Sequence, residues 1–494
     1  MIIICSSEKG EGLRQGDPIS PLLFVLVMEY DIQSLHLAAQ NSAFRYHPMC
    51  KNLKLISLCF ADDLLIFCKG SLSSVKVIKN VLGEFSSVPG LHINENKSQI
   101  FFGGISDVEK LHLSAELKLT EGLFPLKYLG VPMRPTKWKH EDCDIIIKKI
   151  KMRLHTWVSR HLSFAGRMQL IHSVLFGLRN YWMSIFVLPQ SIIKEIERLC
   201  RGCLWGVNGN RCKIHMASWE KVCLPKVFGG LGLRNGQRWN HAILEKYIWA
   251  ISEKMDLLWV KWINSIYLKG SDFWTYKLPP DTSWYWRKLS NLRDKFSRED
   301  VKAAGLTGKF YSSIIYNNSL CHQQVGYYKV VWCRLSLPKH RFLLWQVVNA
   351  QLLTFDNLLR LRVPIDSLLC PVCGDFEESH SHLFFECSLS KQVLDQVFGW
   401  MDCNTWPYEF DRWRTWISNR NNGFIFHLAI MILAATVYSI WRNRNSCIFD
   451  HFSKSASSIA SEVKSLTHHR LISISKQKLS AQDQRILSRF VMIP

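Results

Sequence analysis

Two apolar runs, Leu55-Ile56-Ser57-Leu58-Cys59-Phe60 and Leu64-Leu65-Ile66-Phe67, flank Ala61-Asp62-Asp63. Both runs have strand length and strand-forming composition, so the pattern predicts a β-hairpin with two acids at its tip. Upstream, Leu22 to Leu37 keeps apolar residues at helical spacing after the start signals Pro18 and Pro21. Residues 1–131 as a whole alternate short apolar strands with helical stretches and turn signals, which predicts an α+β region. From His140 to Trp205 the pattern becomes long and helical. Ile145, Ile146, Ile150, Leu154 and Trp157 form one stripe, with Lys148, Lys149, Lys151 and Arg153 around it. The Gly229-Gly230-Leu231-Gly232 break lacks the Lys-Ser/Thr partner of a phosphate loop and reads as a packed turn. Residues 236–307 are Trp-rich and mostly helical, and no internal repeat is evident.

One late segment has the length of a membrane span. Phe424 to Trp441 holds no Asp, Glu, Lys or Arg over 18 residues, yet it includes His427, Thr436, Tyr438 and Ser439. Without a second such segment, a buried helix is the expected reading, and no membrane partner is expected. Met1-Ile2-Ile3-Ile4-Cys5 reads as a strand cut off at its beginning, and it offers no basic region or cleavage site of a secretory leader.

Composition narrows the partner. With 48% hydrophobic residues in 494, the chain has the means to bury sizeable cores. Its 62 Lys and Arg against 40 Asp and Glu leave a formal charge of +22, which points to a polyanion and first to nucleic acid. The 16 cysteines follow no regular disulfide spacing and read as reduced thiols of an intracellular, nuclear or cytoplasmic, chain.

Two constellations carry chemistry. Carboxylates set inside an apolar run cost stability unless a cation meets them, so Asp62 and Asp63 ask for a hard metal ion. Mg²⁺ prefers such oxygen ligands and is usually shared with substrate phosphates. The second constellation is Cys370-Pro371-Val372-Cys373, then His382, then Cys387, a spacing that closes a tetrahedral structural Zn²⁺ site; His380 competes with His382 as the fourth ligand. Cys200, Cys203, Cys212 and His215 are also spaced like ligands, but the first two lie in a run that reads as helix, so packing thiols are expected there.

The order of several motifs resembles the reverse transcriptase domain of non-LTR, LINE-type retrotransposons. Gly12-Leu13-Arg14-Gln15-Gly16-Asp17-Pro18-Ile19-Ser20-Pro21-Leu22-Leu23-Phe24 is similar to an RQGDP-x-SP-x-LF element, and Phe60-Ala61-Asp62-Asp63 to the F/Y-A-D-D element that follows it. Gly90-Leu91-His92-Ile93-Asn94-Glu95-Asn96-Lys97-Ser98 and Tyr128-Leu129-Gly130-Val131-Pro132 resemble the next two. Leu162-Ser163-Phe164-Ala165-Gly166-Arg167 and Leu188-Pro189 are similar to the thumb. Trp332, Leu337-Pro338-Lys339 and Phe342-Leu343-Leu344-Trp345 resemble the zinc-binding domain of plant members, in which His382 is favoured over His380. Trp441-Arg442-Asn443-Arg444-Asn445 is similar to an element that follows that domain.

The resemblance implies roles. Asp62 and Asp63 would bind Mg²⁺, Lys97 would protonate the leaving pyrophosphate, and Arg14, Gln15 and Gly16 would position template and nucleotide. Tyr128, Leu129 and Gly130 would support the primer, while Lys148, Lys149, Lys151 and Arg167 would track RNA and DNA backbones. The implied fold is α+β: a partial palm at 1–131, a helical thumb-like region at 132–235, a connector at 236–307, a zinc-binding domain at 308–400 and a helical tail at 401–494.

The palm's first carboxylate has no counterpart before Arg14 in this sequence. The expectation is therefore a truncated RNA-directed DNA polymerase, inactive alone, whose Asp62-Asp63 hairpin is left with an open edge. The alternative is a non-catalytic, basic, zinc-containing nucleic-acid-binding protein. No ribonuclease H activity is expected, since the last 50 or so residues lack its carboxylate set.

Overall fold

A computed structural model describes residues 2–3, 16–87, 91–158, 162–208, 211–212, 214–320, 322–401, 409–418 and 423–475. The chain divides into two compact units, one made of residues 1–143 and 244–312, the other of residues 144–243 and 313–494. The fold is mixed and rich in helix, with small sheets.

The first unit contains β1 (Ile2–Ile3), α1 (Ser20–Ala38), β2 (Ser57–Phe60), β3 (Asp63–Ile66) and α2 (Leu72–Ser87). The strands form an antiparallel sheet in the order β1-β3-β2, with Ile3 opposite Asp63 and Phe60 opposite Asp63 on its other side. This corrects the expectation that β3 has an open edge, because the N-terminal strand fills it. Leu64 and Ile56 of the hairpin pack with Met28 and Leu35 of α1 and with Ile78, Leu82 and Phe85 of α2. α2 uses its apolar face as the helical spacing predicts, whereas α1 buries Met28 and Leu35 but leaves Leu22, Val25, Leu26 and Leu37 exposed. β4 (Gln99–Ile100) and β5 (Thr120–Glu121) bracket α3 (Asp107–Leu117), which starts with a capping box between Ser106 and Glu109. The hairpin β6 (Leu126–Tyr128) and β7 (Val131–Met133) closes the region. Residues 244–312 pack against this part: Trp262 Nε1 donates to Met49 O at 2.8 Å and Asn52 Nδ2 to Ser265 Oγ at 2.9 Å.

The second unit is almost wholly helical. It opens with α4 (Asp144–Val158), whose Ile146, Ile147 and Ile150 are buried while Lys148, Lys149, Lys151 and Arg153 are exposed. Cys200 is buried in the helix Gln190–Trp205 and Cys203 half-buried, so both serve packing; the Cys212 side chain lies outside the described residues and His215 is exposed. The glycine break is the packed turn expected. Gly229 adopts φ +82°, and a Cβ on Gly230 would lie 2.1 Å from Leu224 O, so only glycine fits there. Trp345 Nε1 donates to Gly229 O at 2.8 Å from the helix Pro338–Val348. The helix Phe424–Phe449 is long and apolar enough to cross a membrane, but 67% of its apolar window is buried inside the protein.

Candidate functional site

The hairpin tip is a two-residue turn, Ala61-Asp62, between paired Phe60 and Asp63. Ala61 adopts φ +52°, an unfavourable conformation for a residue with a side chain, and Cys59 Sγ donates to its carbonyl at 3.3 Å. The turn sets two acids side by side. The Asp63 carboxyl is pushed above its usual range, first by burial and then by Asp62. Burial disfavours its charged form and the neighbouring acid adds repulsion, and a divalent cation relieves both. The donor set, two carboxylates at an accessible tip, fits Mg²⁺.

The β6–β7 hairpin reaches this place. Its turn, Leu129-Gly130, has positive φ at both positions, +48° and +79°. Burial raises the Tyr128 phenol, and Asp63 and Cys59 raise it further, so Tyr128 lies within the field of the acid pair. A third carboxylate comes from α1. Asp31 is buried with neither oxygen partnered, burial pushes it up to about 6, and its charge acts on Cys59 together with those of Asp62 and Asp63. Sequence patterning missed Asp31 because it follows Glu29 beyond the apolar stretch 22–28, yet it shares the buried face of α1 with Met28 and Leu35.

Other expected site residues separate into three groups. Arg14 and Gln15 lie outside the described residues, whereas Gly16 is exposed at φ +92° and starts the turn into α1. Asp17 Oδ1 accepts from Ile19 N at 3.3 Å in that turn. Lys97 is exposed in a turn organised by Asn94 and makes no ion pair among the described residues. Lys148, Lys149 and Lys151 point from α4 into solvent, while Arg167 is half-buried with its guanidinium over the Phe164 ring at 5.6 Å.

The metal centre is compact. Ligand atoms of Cys370, Cys373, His382 and Cys387 all lie within 4.8 Å of one another. Tetrahedral Zn²⁺ with bonds of roughly 2.3 Å to sulfur puts its ligand atoms about 3.8 Å apart, so the cluster has the right size. Gly374 at φ +79° closes the turn after the first two cysteines, its N–H donating to Cys370 O at 2.8 Å. Cys373 Sγ meets His382 Nε2 at 3.3 Å. The Cys387 thiol is lowered by its hydrogen bond with Cys370, and the same bond raises Cys370; binding zinc requires the thiolate form. His380 is used elsewhere, receiving Leu352 N at 3.0 Å and meeting Thr354 Oγ1 at 3.2 Å.

Sequence reasoning missed the strut behind this centre. Arg444 Nη2 and Nε reach the two Glu378 oxygens at 2.6 Å each, with both side chains buried, and Glu378 Oε2 also accepts from Phe355 N. The signal lay in Trp441-Arg442-Asn443-Arg444-Asn445, but its partner is 66 residues away.

Comparison with known proteins places both sites in families. Residues 6–133 match the reverse transcriptase (RNA-dependent DNA polymerase) family, and residues 310–393 match the family described as zinc-binding in reverse transcriptase. The chain thus carries a match to the reverse transcriptase domain followed by a match to the zinc-binding domain of reverse transcriptases, a pair that supports a reverse transcriptase of retrotransposon type. More particularly, it is similar to a plant protein of Arabidopsis thaliana, provisionally named a ribonuclease H protein, with 36% identity over 155 residues. That stretch is 31% of this chain and 25% of the relative, so the chain spans about a quarter of the curated relative it matches.

Proposed function

We propose that this chain handles a primer–template as part of a LINE-type reverse transcriptase, with RNA and DNA as partners and Mg²⁺ at the Asp62-Asp63 tip. The carrying observation is that tip itself: two adjacent carboxylates, Asp63 raised by burial and by Asp62, with Tyr128 beside them. Residues 1–131 act as palm and the helices from 132 as thumb. Tyr128, Leu129 and Gly130 support the primer terminus; Arg14, Gln15 and Gly16 position template and nucleotide; Lys97 supplies a proton to the leaving group. Mg²⁺, when bound, neutralises charge on the substrate phosphates. Asp62 and Asp63 hold it by their oxygens. The zinc centre holds the 308–400 region in shape, which is what four protein ligands do.

Two-ion nucleotidyl transfer takes carboxylates on both ions. Asp62 and Asp63 are the two at the tip, Asp31 being enclosed in the core, so cation binding is expected with negligible primer extension by the chain alone. An electron paramagnetic resonance titration with Mn²⁺ checks the first point, with the bound signal lost in Asp63→Asn; no bound ion in the unmodified chain would sink the reading. Efficient extension that Asp63→Ala abolishes would instead make the chain a complete polymerase.

A second reading, a non-catalytic nucleic-acid-binding protein, is favoured by the exposed basic face of α4, which works without the acid pair. Asp62→Ala separates the two readings: salt-sensitive binding persists in that variant under both, but only the first predicts loss of the ion.

A further inference from the structure

The unit formed by residues 144–243 and 313–494 contains a cavity of about 400 Å³ that none of the roles above uses. Its walls are the helical turn bearing His172, the packed turn from Pro225 to Gly232, and the helix Ser312–Asn318. Its lining is cationic and contains no Asp or Glu. Arg234 stacks its guanidinium 3.5 Å over Trp239, and Lys226 holds its ammonium 4.5 Å over Trp332, so aromatic faces fix both charges in place. His172 adds an imidazole, and Ser313 and Asn317 supply hydroxyl and amide groups.

A further cation stands behind this wall. Arg179 is fully buried, with its guanidinium 3.7 Å over Phe176 and Nη1 donating to Arg234 O at 3.2 Å. Its Nε and Nη2 have no acceptor. Glu197 is the acid whose charge reaches it, but Glu197 Oε1 accepts from Gly236 N at 2.8 Å, and no ion pair joins the two among the described residues. A buried guanidinium without a counter-ion is costly, and an anion in the adjoining cavity offsets that cost.

We propose that this cavity binds a phosphomonoester, as a free nucleoside monophosphate or as the terminal phosphate of a nucleic acid strand. Arginine and lysine together suit a phosphate dianion, which accepts several charge-assisted hydrogen bonds. The volume exceeds what phosphate alone needs and lies in the lower range of small-molecule sites, leaving room for the attached sugar and base against Met168 and Val227. The choice of a nucleotide rests on the nucleic-acid function proposed above; the site itself is independent of the Asp62-Asp63 tip.

The test uses the full, zinc-loaded chain. Calorimetric titration compares deoxyadenosine 5′-monophosphate with deoxyadenosine, and anisotropy compares a 5′-phosphorylated 12-mer with its 5′-hydroxyl form. At least a tenfold preference for the phosphorylated partner is expected in one pair or both. A preference in the first pair identifies the free nucleotide, and one confined to the second identifies the strand terminus. Inorganic phosphate is expected to compete, and Arg234→Gln to reduce the preference tenfold or more. Lys226→Gln combined with His172→Gln, both at the rim, provides a second variant with little risk to folding; an unchanged melting temperature and zinc content confirm that it is intact. No phosphate preference in either pair, or a preference unchanged in the rim variant, would overturn the proposal. Asp63→Asn is expected to leave phosphate binding unchanged, and the rim variant to leave Mn²⁺ binding unchanged, so the two readings fail separately.

Discussion

At the scale of single residues, the acids around the hairpin show how burial and proximity compete. Asp63 keeps access to water at the tip, and its neighbour Asp62 adds repulsion that a cation removes. Asp31 has no such remedy, being enclosed by the core with both oxygens unpartnered. Burial raises it from 3.8 to about 6, so between those pH values the folded chain binds a proton that the unfolded chain has released. Stability therefore falls as pH rises through this window, by at most about 3 kcal/mol, and the deficit is complete above it. Asp31→Asn removes the ionisation while keeping the shape. Its denaturation midpoint is expected to exceed that of the unmodified chain at pH 7.5 and to match it at pH 4; a lower midpoint at pH 7.5 would show that Asp31 has an ionic partner in solution.

At the scale of elements, the parts read correctly from sequence are those with local causes. The Asp62-Asp63 hairpin, α1 after its prolines, the amphipathic α4 and the packed glycine turn each follow from periodicity or backbone demands within a few residues. The pairing of β1 with β3 was not legible, because Ile2 and Ile3 meet Leu64 and Asp63 across some 60 residues of chain. The Glu378–Arg444 strut escaped for the same reason. It ties the zinc region to the helix Phe424–Phe449 through a buried, doubly hydrogen-bonded ion pair. Removing one partner strands a buried charge, so Arg444→Ala is expected to cost about 3–5 kcal/mol, and Arg444→Met with Glu378→Leu to recover most of it. Equal losses in the single and double variants, followed by chemical denaturation, would refute this account. Chelation tests the neighbouring centre: one zinc per chain is expected to leave, and Cys370, Cys373 and Cys387 to become reactive toward a thiol reagent as the region loosens. Three thiols that react equally before chelation would mean that they hold no metal.

At the scale of the whole molecule, charge decides more than shape. A formal +22 gives a polyanion long-range attraction, yet the strength of binding depends on which cations are free to meet phosphates. Many are spent internally: Arg444 on Glu378, Arg134 on Asp142 at 2.9 Å, Arg179 inside the core. Lys148, Lys149 and Lys151 are not, since all three are exposed on α4 opposite the buried Ile146, Ile147 and Ile150. Each lysine that meets a duplex phosphate releases a counter-ion and contributes about 0.9 to the slope of log affinity against log salt. Changing all three to glutamine is therefore expected to flatten that slope by up to about 3 and to weaken binding most at low salt. The buried isoleucine face is untouched, so the melting temperature should stay the same. Anisotropy of a labelled RNA–DNA duplex from low to moderate salt measures it, with Asp62→Ala as the control that leaves the slope unchanged. A slope unaltered by the triple change would move the nucleic-acid surface away from α4 and leave the excess charge to other faces of the chain.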